Sequence, residues 1–197
     1  MKTRMDIMIA GVGGQGTVLA SRILAQAALD SGLAARTAEN IGMAQREGSV
    51  QSHLRIGAAE YGPLIGRQRA DILLGFEPAE AQRAAAYLKP DGFMLVNVEP
   101  VYPVTVALGQ SGYMLDEIQN YLGARSVRPI FVNATRLAIA AGNFKTLNAV
   151  MLGLLSATGR LPMTAATMLE TLLALVPGKA REVNRKAFEL GYEAMEE

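Results

Sequence analysis

Apolar residues fall in short runs punctuated by glycine and proline, and the spacing inside each run predicts its element. Residues 5–10 are apolar apart from Asp6, as suits a strand covered on both faces. A glycine-rich turn follows over 11–16. A helix is then predicted over 17–29, where Val18, Leu19, Ile23, Leu24 and Ala27 keep close to helical period. Ser31-Gly32 ends it, because glycine accepts the left-handed cap conformation. Residues 34–39 read as a second strand, and 41–48, polar and bracketed by glycine, as a loop. Val50, Ser52, Leu54 and Ile56 alternate with Gln51, His53 and Arg55, a period of two that predicts a strand with one wetter face.

Gly57-Ala58-Ala59 reads as a turn into a returning segment over 61–65. The run Asp-Ile-Leu-Leu-Gly-Phe at 71–76 predicts another buried strand, followed by a helix over 79–88. Lys89-Pro90-Asp91-Gly92 has turn composition and leads into a strand over 93–98. A short helix over 115–122 and a strand over 130–133 come next. Four helical segments close the chain, over about 135–141, 147–158, 165–176 and 180–194, stopped by Gly142, Gly159 and Pro177-Gly178. In the last of them Val183, Ala187, Leu190 and Ala194 form a stripe against a charged face. Strands alternating with helices predict an α/β fold: a doubly wound, mostly parallel, Rossmann-like sheet with a helical C-terminal region. With no repeat or linker, residues 1–197 read as one domain.

Composition narrows the function classes. Half of the residues are hydrophobic and 19% are charged, which suits a packed globule and excludes a disordered chain. The formal net charge is +1 with no basic block, so neither nucleic acid nor an anionic membrane is an expected partner. The longest nearly apolar segment, 147–158, falls short of the roughly 20 residues a membrane span needs. The N-terminal run is broken by glycines and lacks a signal-peptide pattern, so a soluble cytoplasmic protein is expected. There is no cysteine, hence no thiolate nucleophile and no ligand set for an iron–sulfur cluster.

Two segments carry candidate chemistry. Gly11-Val12-Gly13-Gly14-Gln15-Gly16 matches G-x-G-x-x-G between a buried strand and a helix, where free N–H groups attract phosphate. With Glu39 at the end of the second strand as a ribose acid, a free-standing NAD- or FAD-binding module fits the spacing. A tight turn that binds nothing fits equally. The second segment, Asn40 to Val50, should lie at the carboxyl edge of the sheet beside the glycine turn. There Gln45 and Arg46 suit a carboxylate or phosphate, although Arg46 paired with Glu47 or Glu39 is the commoner outcome. His53, the single histidine, is a proton carrier only if geometry places it in a site. Glu77, after a strand, serves either a crevice or, more ordinarily, as a helix cap. Asn97 ends a strand in the same way. Asn143 and Asn148 suit caps or packing ties, and the all-round apolar stretch 147–155 should be buried in the core or against a partner.

Together these pieces resemble the gamma domain of 2-oxoacid:ferredoxin oxidoreductases, and within it the indolepyruvate type, over nearly the whole chain. The carriers are Gly11–Gly16 with Leu19-Ala20-Ser21, then Gly42 to Val50 with His53 to Gly57, Pro63-Leu64-Ile65, Phe76-Glu77-Pro78, Leu88 to Gly92, Asn97, Gly142-Asn143, Asn148, Leu152-Gly153, Asn184, Phe188 and Gly191. Family members usually have Gln-Arg-Gly-Gly where this chain has Gln45-Arg46-Glu47-Gly48, and often His in place of Ile41, which leaves the 2-oxo acid open. The resemblance implies a non-autonomous subunit of an enzyme that oxidatively decarboxylates a 2-oxo acid to an acyl-CoA and reduces ferredoxin. It implies thiamine diphosphate, magnesium and 4Fe–4S clusters on a larger alpha subunit, with no cofactor bound by this chain alone. No catalytic residue and no metal ligand is expected here. The cofactor-facing candidates, toward coenzyme A or a substrate carboxylate, are Gly11, Gly13, Gly14, Gln15, Gly16, Gly42, Met43, Gln45, Arg46, Ser49, Glu77 and Asn97.

Overall fold

A computed structural model describes residues 4–42, 48–57, 60–110, 112–124 and 129–195. The first strand, β1 (Met5–Val12), is buried at every position and leads through the glycine turn into α1 (Thr17–Asp30). The chain continues through β2 (Ala35–Ile41), β3 (Ser49–Ile56), β4 (Ala70–Gly75), α2 (Pro78–Ala84), β5 (Leu88–Asn97), α3 (Val104–Ala107), α4 (Leu115–Gly123) and β6 (Ile130–Val132). Four helices complete it: α5 (Ala134–Ala141), α6 (Leu147–Ala157), α7 (Ala165–Leu175) and α8 (Arg181–Glu193). Among the described residues no helix is long and apolar enough to cross a membrane.

The six strands lie in the order β2-β3-β1-β4-β5-β6. Pairings β1–β4, β4–β5 and β5–β6 are parallel, while β3 runs antiparallel to both its neighbours, so it is the one reversed strand of the sheet. Helices cover both faces. On one, Ile7, Ile9, Leu54, Ile72, Leu74 and Leu95 meet α1 and the helices from α5 to α8. On the other, Met8, Ala10, Leu73, Met94 and Val96 meet α2 and α4 through Ala81, Ala84, Ile118 and Leu122. The C-terminal helices are therefore a full layer of the sandwich, with α6 buried along most of its length. That burial depends on glycine. A Cβ on Gly153 would stand 2.1 Å from the Phe188 carbonyl oxygen, and one on Gly191 would stand 2.3 Å from that of Val150.

Three local expectations are corrected. Lys89-Pro90-Asp91-Gly92 is not a turn between elements but lies inside β5, where the register jumps from Ala70 opposite Leu88 to Ile72 opposite Phe93. The jump is a bulge, and the turn-forming residues are what the bulge needs. The helix before it ends at Ala84, and a 3-10 turn over Ala85–Tyr87 hands the chain to β5. The face of β3 expected to be wetter is largely covered, since His53 and Arg55 are buried and Gln51 is half-buried. Its cover is the segment around Tyr61 and Ile65, which forms no strand: the Ile65 N–H donates to His53 Nδ1 at 3.2 Å, and Tyr61 lies under Arg55 at 5.9 Å.

Candidate functional site

The chain leaves β1 toward β2 on one side, whereas β4 and β5 extend the sheet on the other. The carboxyl ends of β1 and β4 therefore mark the switch point at which open α/β sheets present a crevice. The glycine turn sits there and is locally over-determined. A Cβ on Gly11 would meet Thr17 Cγ2 at 2.7 Å and Phe76 Cβ at 2.8 Å, so only glycine lets β1 approach β4 this closely. Gly16 has φ of +80° at the start of α1 and packs on Asn148, whose Cβ lies 3.1 Å from where a Gly16 Cβ would be. Gly14, with φ of +97° and open space where a side chain would go, forms the exposed tip.

The polar groups around this turn are largely spoken for. Gln15 folds back, its Oε1 accepting from the Val12 N–H at 2.9 Å and its Nε2 donating to the Phe76 carbonyl at 3.0 Å. Asn97 Nδ2 donates to the same carbonyl at 3.0 Å and to Thr135 Oγ1 at 3.1 Å, while its Oδ1 accepts from the Thr135 N–H. Two neutral amides thus clamp the ends of β1, β4 and β5 together, and their described bonds run inward. The Gly13 N–H donates to the Gly48 carbonyl at 2.9 Å, and Gly42 N–H to the Ser49 carbonyl at 2.9 Å. Gly48 accordingly lies beside the glycine turn, and Gly42 beside Ser49 at the end of the neighbouring strand. Met43, Gln45 and Arg46 lie outside the described residues.

Glu77 begins α2 in the role that its position after a strand suggests. Its Oε2 accepts from the Glu80 N–H at 2.9 Å, a cap worth about 1 kcal/mol. Its Oε1 takes the Tyr113 hydroxyl, and burial first, then the Glu77 carboxylate, raises the Tyr113 phenol above its ordinary value. Glu80, also buried, accepts from Ser49 Oγ at 2.6 Å and pairs with Arg83. Glu77, Glu80, Tyr113 and Ser49 line a cleft of about 580 Å³ between α2 and the segment after β5. Glu80 and Tyr113 were not foreseen. The Glu three residues after a capping Glu, in Glu77-Pro78-Ala79-Glu80, was the available signal; nothing in the sequence marks Tyr113. A smaller cleft of about 350 Å³ lies at the opposite end of the strands, where Lys89 Nζ holds Asp71 at 2.6 Å.

Other candidates fall elsewhere. Glu39 pairs in register with Ser52 on β3, which stands between β2 and β1. It is two strand spacings, roughly 9–10 Å, from the strand that carries the glycine turn. The ribose-acid geometry of a dinucleotide module requires the two strands to be neighbours, so that reading is withdrawn. His53 is buried in mid-sheet away from the crevice; burial, then Arg55, lowers its pKa below the ordinary value. Asn143 is a cap, accepting from the Lys145 N–H at 3.0 Å. Among the described residues no three His, Asp or Glu side chains gather to hold a metal ion. The cleft, with Glu77 and Glu80 at its floor, fits an anion poorly, whereas the Gly14 tip is open to one.

Residues 6–194 match the family described as pyruvate ferredoxin/flavodoxin oxidoreductase. The chain belongs to that family. It is 41% identical over 194 residues, covering 98% of itself and 96% of the relative, to the indolepyruvate oxidoreductase subunit IorB of Pyrococcus horikoshii. Its fold is similar to the gamma subunit of a keto/oxoacid ferredoxin oxidoreductase from Geobacter sulfurreducens, with a TM-score of 0.72, 24% identity and coverage of 97% and 98% of the two chains. It is similar also to a 2-oxoglutarate:ferredoxin oxidoreductase from Magnetococcus marinus, with a TM-score of 0.75 and 20% identity. There it covers 100% of this chain but 32% of the other, so in that protein the fold is one part of a longer polypeptide.

Proposed function

We infer that this chain is the small, gamma-type subunit of an indolepyruvate:ferredoxin oxidoreductase, a soluble cytoplasmic enzyme that works only with a larger alpha subunit. The observation that carries the reading is the 41% identity to an indolepyruvate oxidoreductase subunit along nearly the whole of both chains. The chain's chemistry supports the division of labour. It has no cysteine to ligate clusters, so 4Fe–4S centres, thiamine diphosphate and magnesium are assigned to the alpha subunit, which hands electrons to ferredoxin. Thiamine diphosphate supplies the electron sink for decarboxylation.

This chain's part is an edge of fixed shape. Gln15 and Asn97 clamp three strand ends, and the Gly13 N–H ties Gly48 to the glycine turn. We assign Gly14, Gly16, Gln45 and Arg46 to a phosphate of coenzyme A or the 2-oxo acid carboxylate, with Arg46 as the two-pronged contact. The test is coexpression with the alpha subunit and an assay of indolepyruvate- and coenzyme A-dependent ferredoxin reduction. Activity should require both chains, and Arg46→Ala should raise the KM for coenzyme A or for the 2-oxo acid about tenfold or more. An isolated chain that turns over substrate, or that retains a nicotinamide or flavin, overturns the reading. Unchanged kinetics in Arg46→Ala removes only the role given to Arg46.

A further inference from the structure

The acidic cleft is bordered by an apolar surface that the fold itself does not use. Between β5 and α4 the chain makes only the short helix α3, and in this stretch Tyr102, Val104, Leu108 and Met114 stand 56%, 62%, 65% and 57% exposed. Single exposed apolar residues are ordinary; four in a span of thirteen, with Met114 in the cleft lining and Tyr102, Val104 and Leu108 within two residues of lining positions, mark a surface meant to be covered. Tyr102 and Tyr113 meet edge to face at 5.3 Å, so the aromatic border is rigid, and Val101, Pro103 and Val106 line the cleft beneath. Among the described residues the charged lining consists of Glu77, Glu80 and Glu117 against one guanidinium, Arg83, which already pairs with Glu80. Apolar border and acidic floor together fit a protein surface that brings a Lys or Arg side chain flanked by apolar residues.

The geometry points to this cleft as the docking surface for the larger subunit, with a basic anchor of that subunit entering toward Glu77, Glu80 and Glu117 while its apolar neighbours cover Tyr102, Val104, Leu108 and Met114. The assignment rests on the functional reading above, which supplies the partner. A second copy of this chain is disfavoured by symmetry. An isologous contact would set this patch against itself and bring the acidic linings of two copies, Glu77, Glu80 and Glu117 in each, beside one another. In the Magnetococcus marinus protein the same fold matches 32% of the chain, so there a unit of this kind is joined to further polypeptide.

The test uses the two-subunit complex. Val104→Asp, Leu108→Asp and Glu117→Lys are introduced singly, and the affinity of each variant chain for the alpha subunit is measured by calorimetry at two salt concentrations. Each should bind at least tenfold more weakly, and Glu117→Lys should also lose most of the salt dependence. Leu175→Asp, on exposed α7 surface in the opposite layer, should bind as the parent does. Melting curves of the free variants that overlay the parent's separate lost docking from lost folding. A parent chain that binds while all three cleft variants bind equally well puts the interface elsewhere and overturns the proposal, leaving the functional reading intact. A parent chain that does not bind the alpha subunit overturns both. A free chain that is a dimer and becomes a monomer in Leu108→Asp gives the surface to a second copy and overturns the proposal alone.

Discussion

At the amino end of the strands Asp6 faces Arg55 across the β1–β3 ladder, with Oδ1 and Nε 3.5 Å apart, and Arg4 approaches the other carboxylate oxygen at 3.6 Å. Asp71 accepts from the Asp6 N–H at 2.9 Å and from Lys89, and the Arg4 guanidinium covers the Tyr61 ring at 4.4 Å. At the carboxyl end the clamps are neutral, Gln15 and Asn97 converging on the Phe76 carbonyl. The buried carboxylates there, Glu77 and Glu80, are served by an N–H, two hydroxyls and one exposed arginine, and they line an open cleft. One end pairs both Asp6 and Asp71 with cations of its own chain, while at the other, among the described residues, only Glu80 has such a partner and both carboxylates line a space that something else can enter. The first arrangement holds strands in register; the second suits a site.

The sharpest way to break that contrast is to remove Asp6. Because Arg55 is buried beside it, Asp6→Ala strands a guanidinium in the sheet, and a loss of about 3–5 kcal/mol in urea unfolding is expected. Replacing both partners by apolar residues, Asp6→Leu with Arg55→Met, should cost clearly less than Asp6→Ala alone. If Asp6→Ala costs under about 1 kcal/mol, the amino end is not held by charge and the comparison collapses.

Removing Glu77 should cost less, about 2 kcal/mol, made of one lost helix cap and one orphaned phenol. Glu77→Gln keeps an acceptor for either the Glu80 N–H or the Tyr113 hydroxyl and should lose about half as much in the same titration. A Glu77→Ala protein destabilised as severely as Asp6→Ala would mean that the cleft is as much a structural charge network as the other end.

The difference between the ends was only half legible in the sequence. Period and punctuation located all six strands, because apolar runs such as Asp71 to Phe76 and caps such as Gly16 are local signals. Sheet order is not local. Nothing in the residues from Gly42 to Ser49 states that β3 turns back and inserts between β2 and β1, and that insertion is what removes Glu39 from the glycine turn. Of the twelve residues the resemblance pointed to, Gln15 and Asn97 both donate to the Phe76 carbonyl, and Glu77 is the next residue in the chain. Their inward hydrogen bonds, the cover over His53 and the apolar border after β5 depend on contacts between residues 12 to 61 positions apart, or on surface that no periodicity describes.

Gln15 tests the neutral clamp directly. Gln15→Ala leaves the Val12 N–H without its acceptor, and a loss of about 1–2 kcal/mol is expected, since the Phe76 carbonyl keeps Asn97. Gln15→Glu should be worse than Gln15→Ala, because a carboxylate oxygen would face the Phe76 carbonyl that the amide now donates to. Equal stability of the two variants would show that the amide is not the clamp.

The smallest expected effect lies between the two ends, at His53. Its pKa is lowered by burial and by Arg55, so the unfolded chain binds the proton more readily than the folded one. Stability contributed by neutral His53 is present above the unfolded value near 6.5 and declines as pH falls below it, with a slope of at most about 1.4 kcal/mol per pH unit. Protonation also removes the lone pair on Nδ1 that accepts from the Ile65 N–H, so the segment covering β3 should loosen first. Hydrogen exchange at Ile65, compared at pH 7.5 and 5.5, should show that loosening in the parent chain. In His53→Gln the carbonyl oxygen can accept the same N–H without titrating, and the pH dependence of exchange should shrink toward the intrinsic chemical rate. A His53→Gln chain whose Ile65 exchange keeps the parent's pH profile would show that His53 is not the titrating group.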